Sequence, residues 1–323
     1  MAEIIEAIEN YGLSKRTHKK GTLSKVGVIG CGTMGQEIVL EISKNGIDVV
    51  FIDLSENRIK EAFQSIENEL DSMINRWGLT NSEKRAILNR IKGSLDYSDI
   101  ADCQLVIEAI NTKKAGTSKE IRQDVFKKVE AVVDADAIIC SNTATMMISD
   151  LSSVLKNPER GIGLHFLNPV DKINIVEVVK GAKTSEEAFE FVCKFAKMVR
   201  KQAISVNESP GNIHTRMVVP MINEACNILM EGIATVSDID TTMKEASGNQ
   251  FGPFEMADRI GLDKLLRWMN NLYEEFGELR FKPSPIIKRL VRANHLGLQT
   301  GIGFYKYENG VATQQTVSCA EIK

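Results

Sequence analysis

A chain of 323 residues, 43% hydrophobic and 26% charged, has the composition of an ordinary globular protein and the length for two domains with separate cores. A formal net charge of -3, with basic residues scattered rather than striped, argues against nucleic acid as a partner. No run approaches the roughly 18 consecutive apolar residues of a membrane span, so no membrane partner is expected.

The cysteines (Cys31, Cys103, Cys140, Cys193, Cys226 and Cys319) show no CxxC spacing and lie mostly in apolar runs. They read as buried free thiols of a reducing, cytoplasmic compartment. His18, His165, His214 and His295 are far apart, so no local zinc motif is visible and no metal is expected.

Residues 1–23 precede the first strand pattern. Ile4, Ile5 and Ile8 fit a short amphipathic helix, and a basic stretch follows from Lys15 to Lys20. Glu3, Glu6 and Glu9 speak against a mitochondrial presequence, which is poor in acids, and no apolar core marks a secretory signal. The segment reads as an extension that packs locally or stays mobile.

The stretch from Lys25 to Asp53 carries the first chemistry. An apolar run, Val26 to Ile29, leads into Gly30-Cys31-Gly32-Thr33-Met34-Gly35. A helical pattern with Ile38, Val39 and Ile42 on one face breaks at Asn45-Gly46, and a second apolar run ends on Asp53. Strand, glycine turn, helix, strand and terminal acid form the dinucleotide-binding fingerprint in its required order. Gly30 permits the tight turn, Gly32 lets backbone approach a pyrophosphate, and Gly35 allows close helix–strand packing. The free N–H groups at the helix start, around Thr33 and Met34, are expected to face the phosphates. Asp53 is expected to accept hydrogen bonds from the adenosine ribose and to repel a 2′-phosphate, which predicts NAD rather than NADP.

Residues 56–91 read as a helix pair, with Thr80-Asn81-Ser82-Glu83 as a helix start. Arg76 and Lys84 sit on this excursion. They are candidates for substrate contact, against the blander reading of a solvated helix face. A strand over Leu105–Ile110, a helix over Ser118–Val133, a strand over Ala137–Cys140 and a short helix over Ile148–Leu155 follow. Ligands of an open parallel sheet bind outside the carboxyl ends of its strands. Asn111, Thr112, Asn142 and Thr143 are therefore candidates for the nicotinamide half of the cofactor.

Gly161 to Val170 and Asn174 to Val179 read as consecutive strands. Alternation puts Gly161, Gly163 and His165 on one face of the first. Glu177 lies among apolar neighbours in the second. The pattern leaves two readings open: a buried His165–Glu177 pair, or a core histidine beside an edge-exposed glutamate. A helix over Ser185–Lys201 and a strand over Ala203–Val206 close an α/β domain over 24–206. From 207 to 308 the apolar spacing is helical throughout, with helices over Met217–Leu229, from Ser237, over Leu262–Phe276 and over Pro285–Ala293. The polar tail, 309–323, is expected to be disordered after Tyr307.

Several of these motifs coincide in one order: GCGTMG, SNT, HFLNPV, Glu177, then PGN, VPMINEACNILMEGIATVSDID, GPFEMADRIGLD and GLQTGIGFYKY. Over roughly residues 24–308 the chain resembles the 3-hydroxyacyl-CoA dehydrogenases, and looks most like the bacterial 3-hydroxybutyryl-CoA dehydrogenases. The resemblance implies a Rossmann-type, mostly parallel NAD-binding domain followed by an all-helical dimerisation domain. A homodimer through residues of about 207–300 is expected, because Val218, Val219, Met221, Ile222 and Leu229 offer more apolar spacing than one small bundle needs, and an acyl-CoA thioester is expected between the domains. The implied reaction is reversible oxidation of a short-chain (S)-3-hydroxyacyl-CoA to its 3-keto form, 3-hydroxybutyryl-CoA to acetoacetyl-CoA, with His165 and Glu177 as catalytic pair and Asn168 in support.

Three positions depart from the family pattern. Ala144 stands where relatives carry a serine that hydrogen-bonds substrate, with Thr145 next along the loop able to supply a hydroxyl. Thr215 stands for an asparagine before Arg216, and Thr112 for a glutamate. These changes leave two further readings: the same mechanism on a different hydroxyacyl thioester, or a low-activity NAD-binding paralogue.

Overall fold

The computed structural model describes residues 23–111 and 118–317. The expected helix at Ile4–Ile8, Thr112 and Cys319 lie outside the described residues. The first half contains β1 (Lys25–Ile29), α1 (Thr33–Lys44), β2 (Asp48–Ile52), α2 (Glu56–Asn75), α3 (Asn81–Leu88), β3 (Ile91–Ser94), β4 (Leu105–Glu108), α4 (Ser118–Glu130), β5 (Ile138–Ser141), α5 (Ile148–Ser152), β6 (Gly161–Phe166), β7 (Ile175–Lys180), α6 (Glu186–Met198) and β8 (Gln202–Asn207). The second contains α7 (His214–Met230), α8 (Val236–Ser247), α9 (Pro253–Ile260), α10 (Leu262–Phe276), α11 (Pro285–Arg292), β9 (Tyr305–Glu308) and β10 (Val311–Gln315).

The strands form one eight-stranded sheet in the order β3-β2-β1-β4-β5-β6-β7-β8. Every pairing is parallel except β6 with β7. The central strands are buried along nearly their whole length, which is why they read as unbroken apolar runs rather than alternating ones. One face is covered by α1, α2 and α6, through Ile38, Ile42, Ile66, Val192 and Phe195. The other is covered by α4 and α5, through Phe126, Val129 and Leu151. Strand order reverses on either side of β1, so the crevice at the carboxyl ends of β1 and β4 lies at the switch point of the sheet.

Two elements differ from the sequence reading. The segment assigned to a helix up to residue 91 ends at Leu88, and Ile91-Lys92-Gly93-Ser94 adds an edge strand beside β2. Only Ile91 of the four is buried, so no apolar run announced it. Gly93 has no side chain because Ile59, Phe51 and Phe63 fill that space. Helix α9 was also missed. It is eight residues long, opened by Pro253 at its first position and closed by Gly261 at φ 92°.

The helical half packs around Phe254, Leu265, Met269, Phe281 and Phe304. Two buried carboxylates organise it. Asp240 accepts the Phe254 and Glu255 N–H groups (2.8 and 2.9 Å) and so caps α9 from a distance. Asp258, fully buried, accepts the Phe304 and Tyr305 N–H groups (2.9 and 3.0 Å) and the Tyr307 hydroxyl (3.0 Å). Side chains at Gly297 or Gly303 would collide with Asp258, which explains the glycines of GLQTGIGFYKY.

The expectation of a disordered tail after Tyr307 is overturned for residues 309–317. β10 pairs antiparallel with β9 across Asn309-Gly310, both with positive φ (51° and 78°). Asn-Gly is the dipeptide a two-residue hairpin of this kind selects, and the polar composition concealed it. Thr316 donates its N–H to Phe304 O (2.8 Å), and Val317 is buried.

Burial pushes the Asp258 carboxyl up to about 7. A carboxyl raised on folding contributes stability that is fully present below its unfolded value and is lost as pH rises through about 7. Asp258→Asn therefore removes this pH dependence. Because an amide keeps one acceptor oxygen where the carboxylate offers two, the variant also loses roughly 1–3 kcal/mol for each donor left unpaired. Thermal unfolding of both proteins from pH 4 to 8 checks both outcomes.

Candidate active site

The glycine loop after β1 is shaped as the fingerprint requires. Gly30 has φ 89°, and a side chain there would press on the Ile110 backbone. A side chain at Gly35 would strike the Gly30 carbonyl, whereas the space beside Gly32 is open. Helix α1 begins at Thr33 with no side-chain cap and no acid in its first turn, so the N–H groups around Thr33 and Met34 are free for an anion. Asp53, at the end of β2, accepts the Cys31 N–H (2.9 Å) and the Leu54 N–H (2.7 Å), with the Arg58 guanidinium 3.7 Å away. The acid is thus joined to the loop whose ligand it would recognise. Open space, uncapped N–H groups and an ordered acid fit a dinucleotide.

At the next strand ends, Glu108 is buried and paired with Arg122. It also accepts the Ile110 N–H (2.7 Å) and the Ser141 hydroxyl (2.6 Å). Asn142 accepts the Phe166 N–H at 2.8 Å, which ties the loop after β5 to the residue following His165. Thr143 turns inward, accepting the Met146 N–H at 3.2 Å.

The pairing that alternation left open is present. β6 and β7 run antiparallel with His165 directly opposite Glu177, and Nδ1 lies 2.7 Å from Oε2. Both side chains are buried. The other carboxylate oxygen accepts the backbone N–H groups of Ile213 (3.1 Å) and His214 (3.0 Å) at the start of α7. Burial alone would raise the Glu177 carboxyl. The hydrogen bond and charge of His165 and the two N–H donors outweigh it, holding the group below its ordinary value. An ionised Glu177 requires Nδ1 to carry a proton, which leaves Nε2 to accept or release one.

The substrate-side candidates fall in different places. Thr145 is buried, and its Oγ1 accepts the Asn271 side-chain N–H from α10 at 2.9 Å. Ala144 beside it offers no polar group. Asn168 donates to Glu37 Oε1 (2.6 Å) on α1, and Val170 N–H binds the other oxygen (2.8 Å). Thr215 is fully buried, with no partner for its hydroxyl among the described residues. Arg76 lines a groove of about 490 Å³ between α1, α2 and the turn after β6, together with Thr33, Glu37, Lys44, Pro169 and Lys172. Lys84 pairs with Asp71 (2.6 Å) and braces α3 on α2, which favours the blander reading for that residue.

Three residues near the dyad escaped the sequence reading. His214 Nδ1 is buried without a partner among the described residues, and burial followed by the nearby His165 charge lowers the ring's affinity for a proton. Lys264 on α10 is lowered by burial and sits within electrostatic reach of Glu37. Asn271 stands on the same helix. Only the spacing of Lys264, Arg267 and Asn271 along one face of α10 was available as a signal, and it reads equally well as a solvated stripe.

Comparison with known proteins follows from this geometry. Residues 25–209 match the model of the 3-hydroxyacyl-CoA dehydrogenase NAD binding domain, and residues 211–307 match the model of the 3-hydroxyacyl-CoA dehydrogenase C-terminal domain. A 3-hydroxybutyryl-CoA dehydrogenase of Clostridioides difficile is 36% identical, over 88% of this chain and 99% of that protein. A probable 3-hydroxybutyryl-CoA dehydrogenase of Deinococcus radiodurans is 37% identical, over 88% and 100%. Among solved structures, M. tuberculosis FadB2 superposes with a TM-score of 0.85 at 31% identity, over 89% of this chain and 100% of that one. The (S)-3-hydroxybutyryl-CoA dehydrogenase PaaH1 from Ralstonia eutropha gives 0.81 at 35%, also over 89% and 100%.

Asp53 generates a test of cofactor choice. Asp53→Asn keeps one acceptor for the loop but removes the charge. A charged hydrogen bond is worth about 1.5–3 kcal/mol, so the preference for NADH over NADPH falls by roughly 10–100-fold. Titration of both variants with both reduced dinucleotides, followed by fluorescence, measures it. Equal binding of NADPH by the unaltered protein would contradict the assigned role.

Proposed function

Since the chain belongs to the 3-hydroxyacyl-CoA dehydrogenases, a family of NAD-dependent oxidoreductases, we propose that it interconverts a short (S)-3-hydroxyacyl-CoA and its 3-keto form. 3-Hydroxybutyryl-CoA and acetoacetyl-CoA are the pair of choice. The observation that carries the proposal is the buried His165–Glu177 pair, with its carboxylate shared by the start of α7.

NAD supplies the hydride acceptor when bound at the glycine loop and Asp53. As C3 gives up hydride, His165 Nε2 takes the hydroxyl proton, and in the reverse direction it returns one. Glu177 holds the ring in the Nδ1–H tautomer and stabilises the imidazolium that forms. Asn142, fixed to the strand of His165, belongs to the nicotinamide side. Ala144, Thr145, Asn168 and Thr215 belong to the acyl side. The groove lined by Thr33, Lys44, Arg76 and Lys172 offers the thioester's long carrier arm a path with cations along it. An alternative acyl group on the same carrier is favoured by Ala144 and by the unpartnered Thr215 hydroxyl, both of which depart from the ordinary set of polar contacts. The intact geometry of the dyad weighs against a protein that only binds the dinucleotide.

A homodimer through residues of about 207–300 is part of the same proposal. Val218, Val219, Ile222 and Leu229, whose apolar spacing suggested an interface, are consumed by the chain's own core. Support comes instead from Ile213, Met217, Ile233 and Leu279, which are exposed. A cytoplasmic setting is supported by the five free cysteines among the described residues.

Oxidation of NADH with acetoacetyl-CoA tests the reaction. His165→Ala is expected to lower kcat by roughly 10²–10⁴-fold, the usual worth of a positioned acid–base group, with NADH binding retained. Near-normal turnover by the variant would refute the assigned role. Light scattering at micromolar concentration is expected to give the mass of two chains, and Met217→Lys is expected to shift it toward one.

A further inference from the structure

The loop after β5 places a buried threonine, Thr145, beside Ala144. Thr145 is buried, yet its hydroxyl is only half used: Oγ1 accepts the Asn271 amide N–H, and its own proton meets no acceptor among the described residues. The same loop is fixed three residues earlier, where Asn142 holds the N–H of the residue after His165. A buried O–H without an acceptor is costly, and it points to a ligand oxygen that completes the bond. Asn271 comes from α10, in the helical half, so the hydroxyl is aimed by a contact that spans the two halves of the chain. A hydroxyl that accepts a hydrogen bond is also a stronger donor, because the two bonds polarise one another.

We propose that Thr145 donates its proton to the oxygen on C3 of the substrate, in place of the hydroxyl absent at Ala144, and that Asn271 is the residue that positions it. The inference rests on the thioester reading above. In the reductive direction C3 gains hydride, the carbonyl π pair moves to oxygen, and that oxygen takes its proton from His165. Thr145 keeps its own proton throughout and stabilises the negative charge that develops on the oxygen. Its contribution is therefore larger at the transition state than in the bound ketone, and it appears in kcat rather than KM.

Steady-state NADH oxidation with acetoacetyl-CoA, together with thermal unfolding, tests this on five variants. Thr145→Val is expected to lower kcat by roughly 10–100-fold with KM nearly unchanged, somewhat less than the usual loss of an oxyanion donor because His165 protonates the same oxygen as its charge develops. Thr145→Ser retains most of kcat. Asn271→Ala costs a few-fold, through lost aim and polarisation. Asn271→Asp is as damaging as Thr145→Val, because a carboxylate accepts the Thr145 proton and turns the hydroxyl away from substrate. Adding Ala144→Ser to Thr145→Val returns the lost kcat, which a packing role for Thr145 would not allow. Folded Thr145→Val with more than half the wild-type kcat, an Asn271→Asp no worse than Asn271→Ala, or no rescue by serine at 144 would each overturn the inference. Absence of wild-type turnover with acetoacetyl-CoA and with longer 3-ketoacyl-CoA thioesters would overturn the functional reading and this inference together. Turnover indifferent to the five variants would remove the inference alone.

Discussion

The Glu177 carboxylate is the contact on which the two halves of this molecule agree. Placing a charge inside protein costs several kcal/mol unless its oxygens are occupied. One oxygen faces the imidazole of His165, and the other takes two backbone N–H groups from the first turn of α7. Those N–H groups have no partner within their own helix, and they lie at its positive end. The strand supplies what the helix lacks, and the helix supplies what the carboxylate needs. The proposed proton-transfer pair and the seating of the helical half on the sheet consequently share one set of hydrogen bonds.

Polar side chains from both halves gather around Glu37 and α10. Glu37 on α1 receives Asn168 and the Val170 N–H, and burial raises its carboxyl despite these bonds. Lys264 faces it electrostatically from α10, with its own proton weakened by burial. Arg267 reaches from the same helix toward Asn111 (3.5 Å) while paired with Asp263 (3.0 Å). Charges from both halves thus meet here, each partly answered by another.

What the sequence disclosed was whatever obeys a local rule. The glycine loop and Asp53 follow from a fixed order of elements, and the His165–Glu177 register follows from a period of two along neighbouring strands. Strand β3 was missed because an edge strand of four residues with one buried side chain has no pattern to show. The β9–β10 hairpin was legible in Asn309-Gly310 but was outweighed by polar composition. Asn271 was beyond reach for a different reason: its contact with Thr145 joins positions 126 residues apart, which no local period encodes. The interface residues failed in the opposite sense. Apolar spacing along α7 identified a buried face correctly, but it could not say whether the burying partner was the same chain or another.

The Asp258 carboxylate has a bearing on how the chain is made. Its donors are Phe304, Tyr305 and Tyr307, and Thr316 closes back on Phe304. A helical core that depends on these residues cannot close until nearly the last of them has left the ribosome. The sheet, complete by Asn207, can form while α7 to α11 are still being synthesised. During that interval the helical core that seats the N–H donors of Glu177 is incomplete, and the carboxylate stays open to water. The dinucleotide half can therefore fold before its carboxylate is fully answered, and residues 304–316 are what let the helical core close over it.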